Sequence, residues 1–372
     1  YRQFYQANFE SFKNSSEICD ISNILLASRI VDTLYAKQND NTNKCKYVIE
    51  INSLGSQETK VKYQEVLKQY FEKYKNDLSE DSKKRLIKNP IRILDTKDIN
   101  DKKLLENVPQ IKSIFTKEEE TRINNICNVL SRTLSNIFEL NLAQDLVRGL
   151  DYYTSTVFEI KQVKHNQNSL TLIAGGRYDN LINQISDKHY NISAFGFSCG
   201  VERLIENFYA DKFFEASKNN IQNNDEVGKI KQSINFLNTK LNINDKTNTA
   251  TQDSNILNSM LSQSIIDTRV AIVLLSKTNF DLNIAKYGLQ VQKMLTLYGF
   301  YTSIFNSNKS ISKTINDLSD DNFDIVVFVG EKEYQKNSFN FKIINKNVSE
   351  DQKNELHLLY REIEKKIINS NK

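Results

Sequence analysis

The sequence has few of the residues from which metal centres and disulfide frameworks are built. Its 372 residues include four cysteines and three histidines. The cysteines lie far apart, at Cys19, Cys45, Cys127 and Cys199, and none forms a CxxC pair. Neither a zinc site nor a disulfide framework is therefore expected. This cysteine usage is typical of a reducing compartment.

Long apolar runs and a strong charge imbalance are also missing. No run approaches the roughly 18 apolar residues of a membrane-spanning helix, so no such helix is predicted. The net charge is +4, which excludes binding to nucleic acid through bulk charge alone and leaves a local basic surface possible. The chain begins with Tyr1, and its only methionines are Met260 and Met294. We therefore expect residues upstream of Tyr1, and a targeting peptide there is not excluded.

Hydropathy patterns in the first half predict strands interrupted by a helical stretch. Residues 1–10 and 46–51 favour strands, and residues 20–36 favour a helix with Asp20 as its N-cap. Residues 56–115 are charged and helical in pattern, broken at Pro90. Thr116 and Glu119 form a predicted capping box for a helix at 117–136. Further strands are expected around 138–146, 155–162, 170–174 and 194–198, with a helix near 178–186.

The second half changes character twice. Residues 213–265 are rich in Asn, Lys, Ser and Asp, a composition typical of a linker, with a weak helix possible at 227–241. From residue 269, buried strands alternate with helices, which predicts a small parallel α/β domain.

Two stretches in the middle of the chain carry the strongest chemical signals. In LVRGLDYYTSTVFEI, Arg148 follows an apolar strand, and Tyr152 and Tyr153 come just after it. Such an arginine can clamp a phosphate, or it can be structural beside a core tyrosine pair. In AGGRYDNLI, the glycines at 175 and 176 allow close approach of a ligand, or simply form a tight turn.

Two further stretches add to this signal. In FGFSCGVERL, a small-residue strand feeds a helix that carries Glu202 and Arg203, which suits a phosphate-bearing ligand or forms an ordinary solvated charge pair. RQFYQANFE at 2–10 offers an aromatic ring for stacking and the carboxylate of Glu10. Its alternative reading is an amphipathic strand of an antiparallel sheet.

Together these stretches resemble the histidyl-tRNA synthetases, a family of class II aminoacyl-tRNA synthetases. RGLDYY at 148–153 and AGGRYD at 174–179 resemble the two histidine-specific signatures. GFSCGVERL resembles class II motif 3, and YRQFYQANFE the second half of motif 2. EINSLGS at 50–56 and NPIRILD at 89–95 resemble the inserted helical domain.

The resemblance implies an α+β fold with five segments. They are the antiparallel-sheet catalytic core from the second half of motif 2 (1–57), a helical insertion (58–115), the continued core (116–212), a linker or insertion (213–268) and an anticodon-binding α/β domain (269–372). Motif 1 and the first half of motif 2 are absent, so we expect the chain by itself to be inactive as an aminoacyl-tRNA ligase.

By the same resemblance, the catalytic arginine is Arg148, which contacts the α-phosphate and the histidine carboxylate. Arg203, Phe4 and Arg2 are expected at ATP, which enters with Mg²⁺. No dedicated protein-only metal cage is visible, so phosphates and one or two carboxylates would hold that ion.

The resemblance also implies a pocket for an imidazole ring. Glu10 would bind the ring with its carboxylate, Tyr153 with its hydroxyl, and Gln6 would meet the α-amino group. The pocket wall would be lined by Tyr152, Gly176 and Tyr178.

The implied partners are L-histidine, ATP, tRNA-His and a second copy of the chain, in the cytoplasm unless the missing N-terminus directs the protein to an organelle. Lys277, Asn279 and Lys309 are weak candidates for base contacts. The main alternative is a synthetase-like regulator or a tRNA or histidine sensor without catalytic activity. A synthetase for proline, threonine or glycine fits less well, because those pockets have no imidazole to satisfy.

Overall fold

The computed structural model describes residues 3–36, 46–147, 152–163, 169–186, 192–206, 268–276, 280–297 and 300–345, together with Tyr190 and scattered residues between 350 and 365. The predicted linker at 213–268, with its weak helix, lies outside the described residues apart from Thr268. Within the described ranges, no helix is long and apolar enough to cross a membrane.

The predicted α+β class is confirmed, and its centre is a six-stranded sheet. Its strands are β1 (Gln6–Phe12), β2 (Lys46–Ser53), β3 (Phe138–Leu142), β4 (Thr156–Val163), β5 (Leu170–Arg177) and β6 (Ala194–Gly200). The spatial order is β1-β6-β5-β4-β2-β3. Neighbouring strands are antiparallel except β2 and β3, which run parallel. Parallel neighbours need a long crossover, and the helices between β2 and β3 provide it.

Helices cover one face of this sheet and form the insertion. They are α1 (Glu17–Ala36), α2 (Gln57–Glu72), α3 (Glu80–Lys88), α4 (Ile99–Leu105), α5 (Lys117–Thr133) and α6 (Leu181–Ile185). Apolar residues of α1 and α5, such as Ile21 and Ile126, share one buried core with Ile51, Phe158 and Phe197 of the sheet. The other strand residues point to the opposite face of the sheet, since successive residues of a strand alternate between faces.

The insertion consists of α2 to α4 and two short 3-10 helices, Pro90–Asp95 and Ile111–Ile114. Its core, which includes Tyr63, Leu67 and Phe71, is continuous with apolar residues at one end of the sheet. The predicted break at Pro90 is present, because Asn89 adopts an extended conformation between α3 and the 3-10 helix.

The C-terminal part is a four-stranded α/β unit, as predicted. Its elements are β7 (Arg269–Leu275), α7 (Leu282–Leu297), β8 (Tyr301–Asn306), α8 (Ile311–Asp320), β9 (Ile325–Gly330), α9 (Glu331–Lys336) and β10 (Asn340–Ile343). The order is β10-β9-β7-β8, with β7, β8 and β9 parallel and β10 antiparallel. It meets the first part through Asn14, whose side-chain amide donates to the Ile304 carbonyl at 2.8 Å.

Local predictions were right at one helix start and wrong at another. Thr116 and Glu119 form the predicted capping box of α5. Asp20 is not an N-cap: α1 begins at Glu17, and Asp20 lies inside the helix, fully buried. A carboxylate in the first turns of a helix looks the same in sequence whether it caps the helix or pairs with a distant cation.

Candidate active site

The face of the sheet opposite α1 and α5 carries two in-register rows of residues. One row runs Glu10, Gly196, Gly176, Val157 and Asn52, and the other runs Asn8, Ser198, Ala174, Glu159 and Glu50. On each strand the two rows are two residues apart, so both lie on the same face. The predicted site residues Glu10 and Gly176 are therefore brought together from opposite ends of the described core.

Glycine is sterically required beside Glu10. A Cβ at Gly196 would lie 1.9 Å from Glu10 Oε2, and one at Gly175 would lie 2.2 Å from the Gly196 carbonyl oxygen. Gly175 and Gly176 lie inside β5, so the alternative of a tight turn at these positions was wrong. Because glycines have no side chain, the strands can pack closely and the space next to the Glu10 carboxylate is not filled by a side chain.

Glu10 is held by a tyrosine from the second signature. The Tyr178 hydroxyl donates to Glu10 Oε2. Burial, and secondarily this hydrogen bond, raise the pKa of Tyr178, so its hydroxyl stays protonated and keeps donating at neutral pH. The Tyr152 ring lies edge-on to Tyr178 at 5.7 Å and close to Tyr153 at 4.7 Å. These predicted residues thus form one aromatic wall around the carboxylate.

A buried ion pair supports this wall from behind. Arg177, which is 1% exposed, donates through Nε to Asp20 Oδ1 at 3.0 Å and through Nη1 to the Asn14 carbonyl at 3.1 Å. Asp20 Oδ2 also accepts from Arg122 Nη2 at 2.9 Å and Thr156 Oγ1 at 2.7 Å. Burial alone raises the pKa of Asp20, but the guanidinium groups of Arg177 and Arg122 outweigh it and hold that pKa below its ordinary value.

Sequence reasoning missed this pair, although it singled out the AGGRYD stretch. An arginine in a strand of small and apolar residues has to be buried, and a buried guanidinium needs a carboxylate partner. A carboxylate partner for Arg177 is therefore predictable from the sequence, but its identity among the chain's acidic residues is not.

Two of the residues expected at ATP, Phe4 and Arg203, lie in the described part of the chain. Phe4 precedes β1 and is 59% exposed. Arg203 donates through Nη1 to the Thr171 carbonyl at 2.7 Å, while the adjacent Glu202 accepts from the Tyr5 backbone N–H at 2.8 Å. The Glu202 side chain is thus hydrogen-bonded to the backbone just before β1. Arg148 and Arg2 lie outside the described residues.

Additional polar residues on the same face were not predicted. Ser198 donates to Asn8 Oδ1 at 2.7 Å. Lys161 bridges Glu50 at 2.6 Å and Glu159 at 3.5 Å. The alternation of Gln6, Asn8 and Glu10 on β1 was the available signal, since residues two apart share a face. Across the described part of the chain, no group of three or more His, Cys, Asp or Glu side chains could hold a metal ion.

The C-terminal unit has a groove of its own at the carboxyl ends of β7, β8 and β9. Its volume is about 600 Å³, and Ser276, Asn308, Lys309 and Lys332 are among its lining residues. Lys309 also pairs with Asp317 at 2.6 Å. The other two candidates for base contacts, Lys277 and Asn279, lie outside the described residues.

Comparisons with known proteins agree with this arrangement. The histidyl-tRNA synthetase family model matches residues 63–204, and an anticodon binding domain model matches residues 269–365. Histidine–tRNA ligase of Wolbachia pipientis wMel is 44% identical over 205 residues, which are 55% of this chain and 47% of that protein. The middle of the chain is thus similar to histidyl-tRNA synthetases. The corresponding ligase of Wolbachia pipientis subsp. Culex pipiens (strain wPip) is 42% identical over 212 residues, 57% of this chain and 49% of that protein.

The family match includes most of the described pocket residues. Tyr152, Tyr153, Gly176, Tyr178 and Arg203 all fall within residues 63–204. The chain spans about half the length of the curated relatives it matches. A solved structure, the apo S. aureus histidyl-tRNA synthetase, aligns with 93% of this chain and 69% of that chain at 18% identity and a TM-score of 0.42. The similarity to histidyl-tRNA synthetases rests on the sequence matches.

Proposed function

We propose that the full-length gene product is a histidyl-tRNA synthetase, which joins L-histidine to ATP as histidyl-adenylate and transfers the histidine to the 3′ end of tRNA-His. One observation carries this proposal for the described residues. The Glu10 carboxylate, held by Tyr178, lies on a glycine-lined floor beside an aromatic wall. It is the type of group that a pocket for imidazole requires.

This geometry supports a proposed mode of histidine recognition. Glu10 accepts one imidazole N–H, and the ring packs against Tyr152. The Tyr153 hydroxyl is proposed as the second polar partner, and Gln6 meets the α-amino group. A pocket with such groups rejects amino acids that would leave them unpaired, because an unpaired buried polar group is costly.

The first chemical step needs positioning and charge stabilisation. A histidine carboxylate oxygen attacks the α-phosphorus, the new O–P bond forms, and the bond to the leaving pyrophosphate breaks. Negative charge gathers at the phosphorus, and Arg148 is proposed to stabilise it. Arg203 and Arg2 meet the phosphates, and Phe4 stacks on the adenine. ATP enters as its Mg²⁺ complex, with the ion held mainly by phosphate oxygens.

In the second step a terminal ribose hydroxyl of the tRNA attacks the activated carbonyl carbon, and AMP leaves. The groove of the C-terminal unit is proposed to receive anticodon bases, since ligands of such sheets bind at the carboxyl ends of the strands and loop bases are read by stacking and edge contacts. We further propose a homodimer in the cytoplasm, with an organelle as the other setting.

The role of Glu10 is tested by Glu10→Ala in the full-length gene product. A charge-assisted hydrogen bond contributes about 1.5–3 kcal/mol, so KM for histidine should rise by about ten- to a hundredfold. KM for ATP should change far less. Tyr178→Phe removes only the supporting hydrogen bond and should show a smaller effect of the same kind. Equal losses for both substrates in Glu10→Ala would contradict this assignment.

The role of Arg148 is tested in the same assay. Arg148→Ala should lower the rate of histidine-dependent ATP–pyrophosphate exchange by about a hundredfold or more, with little change in the unfolding midpoint. A variant that keeps a near-normal exchange rate would rule out Arg148 as the catalytic arginine.

A further inference from the structure

Lys60 is a buried cation in an unfavourable place. It lies in the first turn of α2 and is 6% exposed. The positive end of the helix dipole disfavours a cation there, and burial of an ammonium group is costly unless it is hydrogen-bonded. Its Nζ donates to the Tyr153 carbonyl oxygen at 3.1 Å. A charged side chain of the insertion is thus hydrogen-bonded to the backbone of the RGLDYY signature.

Several hydrogen bonds hold the start of α2, from which Lys60 contacts the Tyr153 carbonyl. The Leu54 N–H donates to the Ser155 carbonyl at 2.7 Å, and the Ser155 N–H donates to the Gly55 carbonyl at 2.8 Å. Ser155 has a φ of 51°, which is uncommon for a residue other than glycine. Glu119 accepts from the Ser56 N–H at 2.5 Å. Lys60 therefore projects from a segment that other bonds already hold in place.

The carbonyl that Lys60 binds belongs to the aromatic wall of the pocket. The Tyr153 ring lies beside Tyr152, Tyr152 contacts Tyr178, and Tyr178 holds Glu10. The next residue, Thr154, donates its N–H to the Arg177 carbonyl at 2.7 Å. A shift of the Tyr153 backbone would therefore move the tyrosine pair relative to Glu10.

We propose that Lys60 is a positioning residue, through which the helical insertion fixes the tyrosine pair of the histidine pocket. The inference rests on the proposed function for the identity of the ligand. It goes beyond that function by giving the insertion a part in forming the amino-acid pocket.

Lys60→Met in the full-length gene product tests the proposal. Lys62→Met is the matched control, because Lys62 is an exposed lysine of the same helix. In histidine-dependent ATP–pyrophosphate exchange, Lys60→Met should raise KM for histidine about tenfold. KM for ATP should stay within about twofold. Lys60→Arg should restore most of the histidine affinity, because a guanidinium can donate to the same carbonyl.

The outcomes separate this proposal from the proposed function. If the unmodified protein shows no exchange with histidine, the proposed function fails, and amide hydrogen exchange then decides about Lys60. The N–H groups of Thr154 and Ser155 should exchange faster in Lys60→Met than in Lys62→Met, and equal rates would overturn the proposal. If the unmodified protein is active, equal KM values for histidine in the two variants would overturn it. Should Lys60→Met not fold, Lys60→Gln takes its place in both measurements.

Discussion

The buried pair of Asp20 and Arg177 should be the most sensitive point in the described core. Asp20→Asn keeps the side-chain size but removes the negative charge, which leaves two guanidinium groups facing a neutral amide. Breaking a buried ion pair by removing one charge costs about 3–5 kcal/mol. We expect a loss of that size in the free energy of unfolding, because Asp20 is fully buried and accepts hydrogen bonds from Arg177, Arg122 and Thr156.

Urea unfolding measures this loss directly. With a slope of about 2 kcal/mol per molar urea, the midpoint should fall by about 1.5–2.5 M. Glu72→Gln is the control: Glu72 pairs with Lys75 at 3.3 Å on the surface, and removal of its charge should produce no measurable shift.

The effect also has a defined pH dependence. The pKa of Asp20 is lower in the folded chain than its ordinary value of 3.8. Its contribution is therefore present above that pH and is lost as pH falls through the lower, folded-state pKa. The difference between the unmodified protein and Asp20→Asn should shrink in strong acid. An unchanged midpoint in Asp20→Asn at neutral pH, or a difference that stays constant into strong acid, would refute the reasoning.

Two further predictions use the glycines and the cysteines. Gly196→Ala should displace the Glu10 carboxylate from its hydrogen bond with Tyr178, destabilise the fold by about 1–3 kcal/mol and weaken histidine binding. Gly200→Ala is the control and should have neither effect, because no atom lies closer than 3.4 Å to the added Cβ. Similar histidine affinities of the two variants, measured by calorimetry, would contradict this prediction. Burial raises the thiol pKa of three cysteines to about 11, so iodoacetamide at pH 8 should label them only after unfolding. Rapid labelling of Cys19, Cys127 or Cys199 in the native chain, detected by peptide mass spectrometry, would contradict this prediction.

Much of the fold was predictable because its signals are local. The capping box at Thr116, the break at Pro90 and the alternation of strands and helices after residue 269 depend on neighbouring residues alone. The misassigned Asp20 shows the limit. Its partner Arg177 is 157 positions away, and no local pattern distinguishes a capping carboxylate from one end of a long-range ion pair.

The candidate site was predictable through its signatures, while its architecture was not. Glu10, Tyr152, Tyr153 and Tyr178 were named from the resemblance. That Gly196 must be glycine depends on the register of β1 against β6, which only the folded sheet fixes. Lys60 escaped notice for the same reason, since a lysine in a charged helix looks solvent-exposed in sequence.

The most direct test of the account is amino-acid-dependent ATP–pyrophosphate exchange by the full-length gene product, screened over all standard amino acids. The account predicts exchange with histidine alone, because the Glu10 carboxylate and its tyrosine neighbours are proposed to pair with an imidazole. A folded protein that shows no exchange with any amino acid would contradict it and favour a regulator or sensor of histidine or tRNA. Exchange with proline, threonine or glycine would contradict the proposed pocket.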